Sequence, residues 1–110
     1  MMVRQSDLLS GSSDLLVLRV LRRSRMHRWG IARCLQQLSR DVLQLDGMSL
    51  SASLRRMEER GWVNVELAPA ESSDPVHVYR LTRLGHRQFK RVEAEYTRIT
   101  QAIAQVMKRA

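Results

Sequence analysis

The chain of 110 residues holds one cysteine, two prolines and five aromatic side chains. With Cys34 as the lone thiol, no intrachain disulfide can form, and a reducing cytoplasm is the expected setting. No stretch approaches the ~20 apolar residues that span a bilayer. The opening MMVRQSDLLSGSSD has neither an uninterrupted apolar segment nor a cleavage signature, so no export signal and no membrane partner are expected. Catalytic equipment is equally sparse. His27, His77 and His86 have no metal-ligand spacing with one another, with Cys34 or with a carboxylate. Gly30, Gly47, Gly61 and Gly85 stand apart, which excludes a glycine-rich phosphate loop. Glu58 and Glu59 are neighbours that leave a helix in different directions, so they cannot act as an acid/base pair. The reading is therefore a non-enzyme with no metal and no cofactor.

What is present is positive charge. The formal net charge is +8, in a chain long enough for one hydrophobic core. That balance favours an anionic partner, nucleic acid ahead of a membrane surface. Arginine makes up 17 of the 19 basic residues. Its planar fork can clamp phosphate or guanine in a way lysine cannot, although a codon-biased genome would also write Arg for Lys.

Residues 1–11 read as a docking arm with a Leu8-Leu9 pair. Ser12, Ser13 and Asp14 supply caps for a helix over 13–23, whose Leu15, Leu16, Leu18, Val20 and Leu21 belong in the core. Arg22, Arg23, Arg25 and Arg28 cluster across the following turn, as a solvated turn or a phosphate clamp. A second helix is predicted over 27–39 with Ile31, Leu35 and Leu38 as its stripe and Cys34 beside it. In the link Arg40–Met48, Asp46-Gly47 supplies turn chemistry.

The stretch SLSASLRRMEERGWV follows, with Leu50, Leu54 and Met57 on one stripe. Ser49 or Ser51 caps its start and Gly61 its end. Small and polar in its first turn and basic beyond, it suits a groove-reading helix or an ordinary surface helix. Val63–Leu67 and Val76–Leu81 read as strands, separated by the polar loop Ala68–Pro75. Three helices and a strand–loop–strand pair is the order of a winged helix-turn-helix. Finally Phe89, Val92, Tyr96, Ile99, Ile103 and Val106 recur at 3 and 4 on a helix predicted from about Leu84 to Lys108. So narrow an apolar stripe fits a two-fold dimer seam better than packing along the domain body. The predicted fold is mainly α (α+β), with a winged helix-turn-helix and its arm over 1–81 and a dimerisation helix over 82–110.

The runs DLLVLRVL, MHRWGIARCLQQLSRDVLQL, SLSASLRRMEERGWV and VYRLTRLGHRQF together resemble the PadR family of winged-helix transcriptional regulators, over nearly the whole chain. The resemblance implies a homodimer on pseudo-palindromic double-stranded DNA, repression as the usual outcome, and in several members release by a flat aromatic effector. It places DNA contacts on Ser49, Ser51, Ala52 and Ser53 and on wing residues Ser72, Ser73 and His77, and the charges of Arg55, Arg56 and Arg28 are expected to add phosphate contacts from the helices. Trp29 and Tyr96 become candidate platforms for the effector.

Three departures stand out. The family's Gly-Ser-Leu-Tyr-Pro-Ala-Leu reads Met48-Ser49-Leu50-Ser51-Ala52-Ser53-Leu54 here, without the tyrosine that typically faces DNA. Its His-Gly-Tyr-Gly-Ile reads His27-Arg28-Trp29-Gly30-Ile31. The wing, usually Asn-Asn-Arg-Arg-Ala-Lys, reads Ser72-Ser73-Asp74-Pro75-Val76-His77, with Glu71 adding a second acidic group. Because affinity for DNA comes largely from neutralised phosphates, such a wing also fits a dimeric interaction or ligand-binding module with reduced or lost DNA binding.

Overall fold

The computed structural model describes residues 12–69 and 75–110. The expected arm with Leu8 and Leu9, and Glu71, Ser72, Ser73 and Asp74 of the wing, lie outside the described residues. In chain order the elements are α1 (Ser13–Arg23), β1 (Met26–His27), α2 (Arg28–Leu38), α3 (Gly47–Glu59), β2 (Val63–Ala68), β3 (Val76–Leu81) and α4 (Arg83–Arg109). The three strands form one antiparallel sheet in the order β1-β3-β2, a winged helix-turn-helix followed by a long helix. Among the described residues no helix is long and apolar enough to cross a membrane.

The core forms where the helical stripes meet. Val17, Leu18, Val20 and Leu21 of α1 pack with Ile31 and Leu35 of α2, and with Leu50, Leu54 and Met57 of α3. Val63 and Leu81 close it from the sheet. Leu38, predicted on the α2 stripe, is exposed instead. It is the last residue of α2, and Arg40 and Asp41 then adopt positive φ (53° and 66°), ending the helix in a turn. The turn is tied by Ser39, whose hydroxyl accepts from Leu43 N at 2.8 Å, and by Gln36 Nε2 donating to Asp41 Oδ1 at 3.2 Å.

The end of α3 follows the expectation for Gly61. With φ +76° this glycine takes the left-handed C′ position. Its N–H donates to Glu58 O and the Trp62 N–H to Met57 O, so carbonyls that the helix leaves unpaired are satisfied. Strand β2 leaves directly from this turn and pairs along its full length with β3, from Val63 opposite Leu81 to Ala68 opposite Val76. The short strand β1, absent from the sequence-based prediction, adds Met26 opposite Tyr79 and His27 opposite Val78.

Helix α4 starts on the same turn. Thr82 caps it by accepting from Gly85 N at 3.0 Å, while its hydroxyl donates to Gly61 O at 2.7 Å. Gly85 lies so close to the Trp62 carbonyl that a Cβ there would collide with it. One turn later Phe89 is fully buried in the core, and the Arg22 guanidinium lies 4.9 Å from its ring centroid. This corrects the expectation for Phe89. It anchors α4 to its own domain and contributes nothing to an exposed seam. Val92 is half-buried against the same core. Beyond it Tyr96, Ile99, Ile103 and Val106 are exposed along the helix, and the molecule reaches 57 Å in its longest dimension.

Since Phe89 joins α4 to α1, Phe89→Ala should cost about 3–5 kcal/mol of stability by urea denaturation. A loss near that of an exposed substitution, below ~0.5 kcal/mol, would show that α4 is not anchored there.

Candidate nucleic-acid interface

Helix α3 divides into an inner and an outer face. Leu50, Ser53, Leu54 and Met57 point inward. Ser53 was expected at the groove, but it is fully buried. Its hydroxyl donates to Asp14 Oδ1 of α1 at 2.6 Å. Arg56 Nη2 donates to the same oxygen at 2.7 Å and Arg56 Nε to Oδ2 at 3.4 Å. The Asp14 carboxylate, through hydrogen bonding first and charge attraction second, holds the Arg56 guanidinium above its ordinary pKa. Ser53 and Arg56 thus bind α3 to α1, and Ser53 is removed from the reading face. The signal was present in the spacing: position 53 falls on the Leu50–Leu54–Met57 stripe.

The outer face carries Met48, Ser51, Ala52 and Arg55, with Ser51 half-buried and the others exposed. Arg28 of α2 reaches this face and its Nη1 donates to Ser51 Oγ at 3.0 Å. The same guanidinium lies 6.0 Å from the ring centroid of Trp29, which is 72 % exposed. Between α2 and α3 these residues line an open groove of about 930 Å³, floored by Ala32, Leu45 and Leu50. On the other side of Trp29 a smaller groove of about 340 Å³ runs to the wing base, lined by His27, Pro75, Val76, His77 and Tyr79. Arg28, Ser51, Ala52 and Arg55 are therefore brought together, and His77 faces the adjoining groove. Tyr96 lines neither groove.

Asp46, rather than Ser49 or Ser51, caps α3. Its Oδ1 accepts from Ser49 N at 2.8 Å and its Oδ2 from Ser49 Oγ at 3.0 Å. Gly47 is consequently the first helical residue, not part of the turn. The Ser49 amide, and then its hydroxyl, hold the Asp46 carboxyl below its ordinary pKa. Helix N-termini attract phosphate through unpaired N–H groups and the helix dipole. Here a carboxylate of the chain already takes that position, and Ser49 is committed to it.

The arginine cluster disperses. Arg22 covers Phe89, Arg23 Nη1 lies 3.5 Å from the half-buried Cys34 Sγ, and Arg25 Nη1 lies 3.6 Å from Glu66 Oε2. Glu66 also meets Arg80, at 3.5 Å. Arg28 is the member of the cluster that joins the α3 face. Among the described residues no group of three His, Cys, Asp or Glu could hold a metal ion.

Comparison with known proteins agrees with this architecture. The family model described as the transcriptional regulator PadR-like family matches residues 17–91. A solved transcriptional regulator from Clostridium thermocellum is similar at 18 % identity, with a TM-score of 0.83 over 94 % of this chain and 97 % of that one. A PadR family transcriptional regulator from Eggerthella lenta is similar at 23 % identity, TM-score 0.79, over 94 % and 88 % of the two chains. Another, from Clostridium difficile, is similar at 22 % identity, TM-score 0.70, over 86 % and 96 %. At these identities the likeness establishes a shared fold. Comparison with curated proteins gives no match.

The Asp46 cap makes α3 sensitive to acid. A carboxyl whose folded pKa is depressed stabilises the fold above its unfolded pKa, near 4, and loses that contribution as pH falls towards the folded value. Asn can accept from the same amide but does not titrate. Wild type should therefore melt above Asp46→Asn at pH 7, and the gap should shrink below about pH 4. A gap unchanged at pH 3 would contradict the assignment.

Proposed function

The chain belongs to the PadR-like family of transcriptional regulators, and on that footing we propose that it is a cytoplasmic, homodimeric repressor of pseudo-palindromic double-stranded DNA. The observation that carries this reading is the outward row Ser51, Ala52 and Arg55 on α3, flanked by Arg28 of α2. With its inner face committed to α1, α3 presents those side chains to a major groove. Arg28 and Arg55 supply charge to phosphate or bidentate donors to guanine, and Ser51 bonds base edge or phosphate. His77 lies where the wing would approach the backbone, and Ser72 and Ser73 are wing positions by the family resemblance alone.

Dimerisation is assigned to the exposed stripe of α4, Tyr96, Ile99, Ile103 and Val106, with Val92 at its inner edge. A fully buried side chain of this size contributes about 1.5–3 kcal/mol, so a second copy of the stripe is a favourable cover. A planar aromatic effector would meet Tyr96 on this seam, where the residue is 43 % exposed. Trp29 lies on the α2–α3 groove instead. One further observation favours a second reading, a dimeric module with weakened DNA binding. Asp46 occupies the α3 N-terminus, Arg56 is paired with Asp14, and Arg25 and Arg80 are both directed at Glu66.

Anisotropy titration against the duplex upstream of its own gene separates the two readings. The regulator reading requires sequence-preferring binding tighter than micromolar. Arg55→Ala, removing one cation per subunit, should weaken it about tenfold or more and flatten the slope of log K against log salt by about 1.8. Micromolar or weaker binding without sequence preference would leave the second reading.

A further inference from the structure

The most exposed aromatic ring of the α3 face is unused by the reading above. Trp29 is the second residue of α2 and stands as the ridge between the two grooves, lining both. No core residue covers it, and exposing an indole to this degree forgoes the hydrophobic gain that burial would bring. Its surroundings define what could cover it. The Arg28 guanidinium lies 6.0 Å from the ring centroid and Arg55 lines the same groove, so the occupant is anionic. The indole offers a broad apolar face and one N–H donor with no acceptor. A deoxyribose followed by a phosphate matches both, an apolar ring next to an acceptor-only anion. Stacking on a base would instead require unstacking a duplex step, at a cost of a few kcal/mol.

We propose that Trp29 is a DNA-backbone contact, its ring packed on a deoxyribose and its Nε1–H donating to the adjacent phosphate. This rests on the DNA-binding reading and deepens it. The duplex strand crosses the ridge between the α3 groove and the wing-base groove, with Arg55 on the α3 side, His77 on the other and Arg28 lining both. The contact is uncharged. It adds affinity without releasing a counterion, beside the charges of Arg28 and Arg55.

That distinction makes the contact measurable. Trp29→Ala, Trp29→Phe and wild type are titrated with the upstream duplex at several salt concentrations, with thermal melts as a check on folding. Trp29→Ala should bind about tenfold or more weakly at fixed salt, with the log K–log salt slope unchanged. Trp29→Phe, keeping a ring and losing the donor, should fall between. If Trp29→Ala binds as wild type does, the contact is overturned while the DNA reading stands. A slope that flattens as a lost cation would flatten it assigns the effect to Arg28 and likewise overturns the proposal. Should Trp29→Ala fail to fold, equal affinity of Trp29→Phe and wild type overturns the donor contact. Absence of sequence-preferring binding by wild type overturns both readings together.

Discussion

The docking of α3 on α1 decides which side chains the protein can offer to a partner. Leu50, Leu54 and Met57 supply the apolar contact, and Ser53 is fully buried beside them. The Asp14 carboxylate reaches across to both Ser53 and Arg56. Arg56 is nearly half exposed, so this ion pair adds modest energy. Its geometric effect is larger: three directional bonds fix how α3 is rotated on α1. Ser51, Ala52 and Arg55 face outward as a consequence.

The positive charge is distributed by the same economy of contacts. A net charge of +8 suggests a broad basic surface, yet many arginines are individually engaged. Arg22 lies over Phe89, Arg60 lies 5.1 Å from the Trp62 ring, Arg25 and Arg80 meet Glu66, and Arg98 pairs with Glu95. These cations still contribute to the long-range field that draws an anion in. In the proposed interface close contact would fall to Arg28 and Arg55, and uncharged neighbours such as Ser51 and Trp29 would matter more.

Much of the architecture was legible in the residues. Periodicity placed α1, α2, α3 and the two long strands within a few positions, and Gly61 marked the α3 end because a positive φ favours that residue. The failures at β1 and Phe89 depend on a contact from elsewhere in the chain, whereas the cap of α3 is decided locally. Two residues of β1 are too few to show a period, and only their pairing with β3 defines them. Asp46 outcompetes the serines as cap because its carboxylate takes both the amide and the hydroxyl of Ser49. Phe89 continues the α4 stripe perfectly in sequence, yet α1 reaches it first. The exposure of Trp29, a candidate effector platform by resemblance, follows from its place at the start of α2, outside the Ile31 and Leu35 stripe.

The central claim is a dimer that presents two outward α3 faces to one duplex. Its geometry can be read without DNA. With Cys34 replaced by serine and a spin label at Ala52→Cys, double electron–electron resonance measures the separation of the two α3 helices in solution. Successive major-groove half-sites lie ~34 Å apart, and the account predicts a distance peak near that value, broadened by the label. A chain that shows no dipolar partner, or a narrow distance far from one duplex turn, would contradict it.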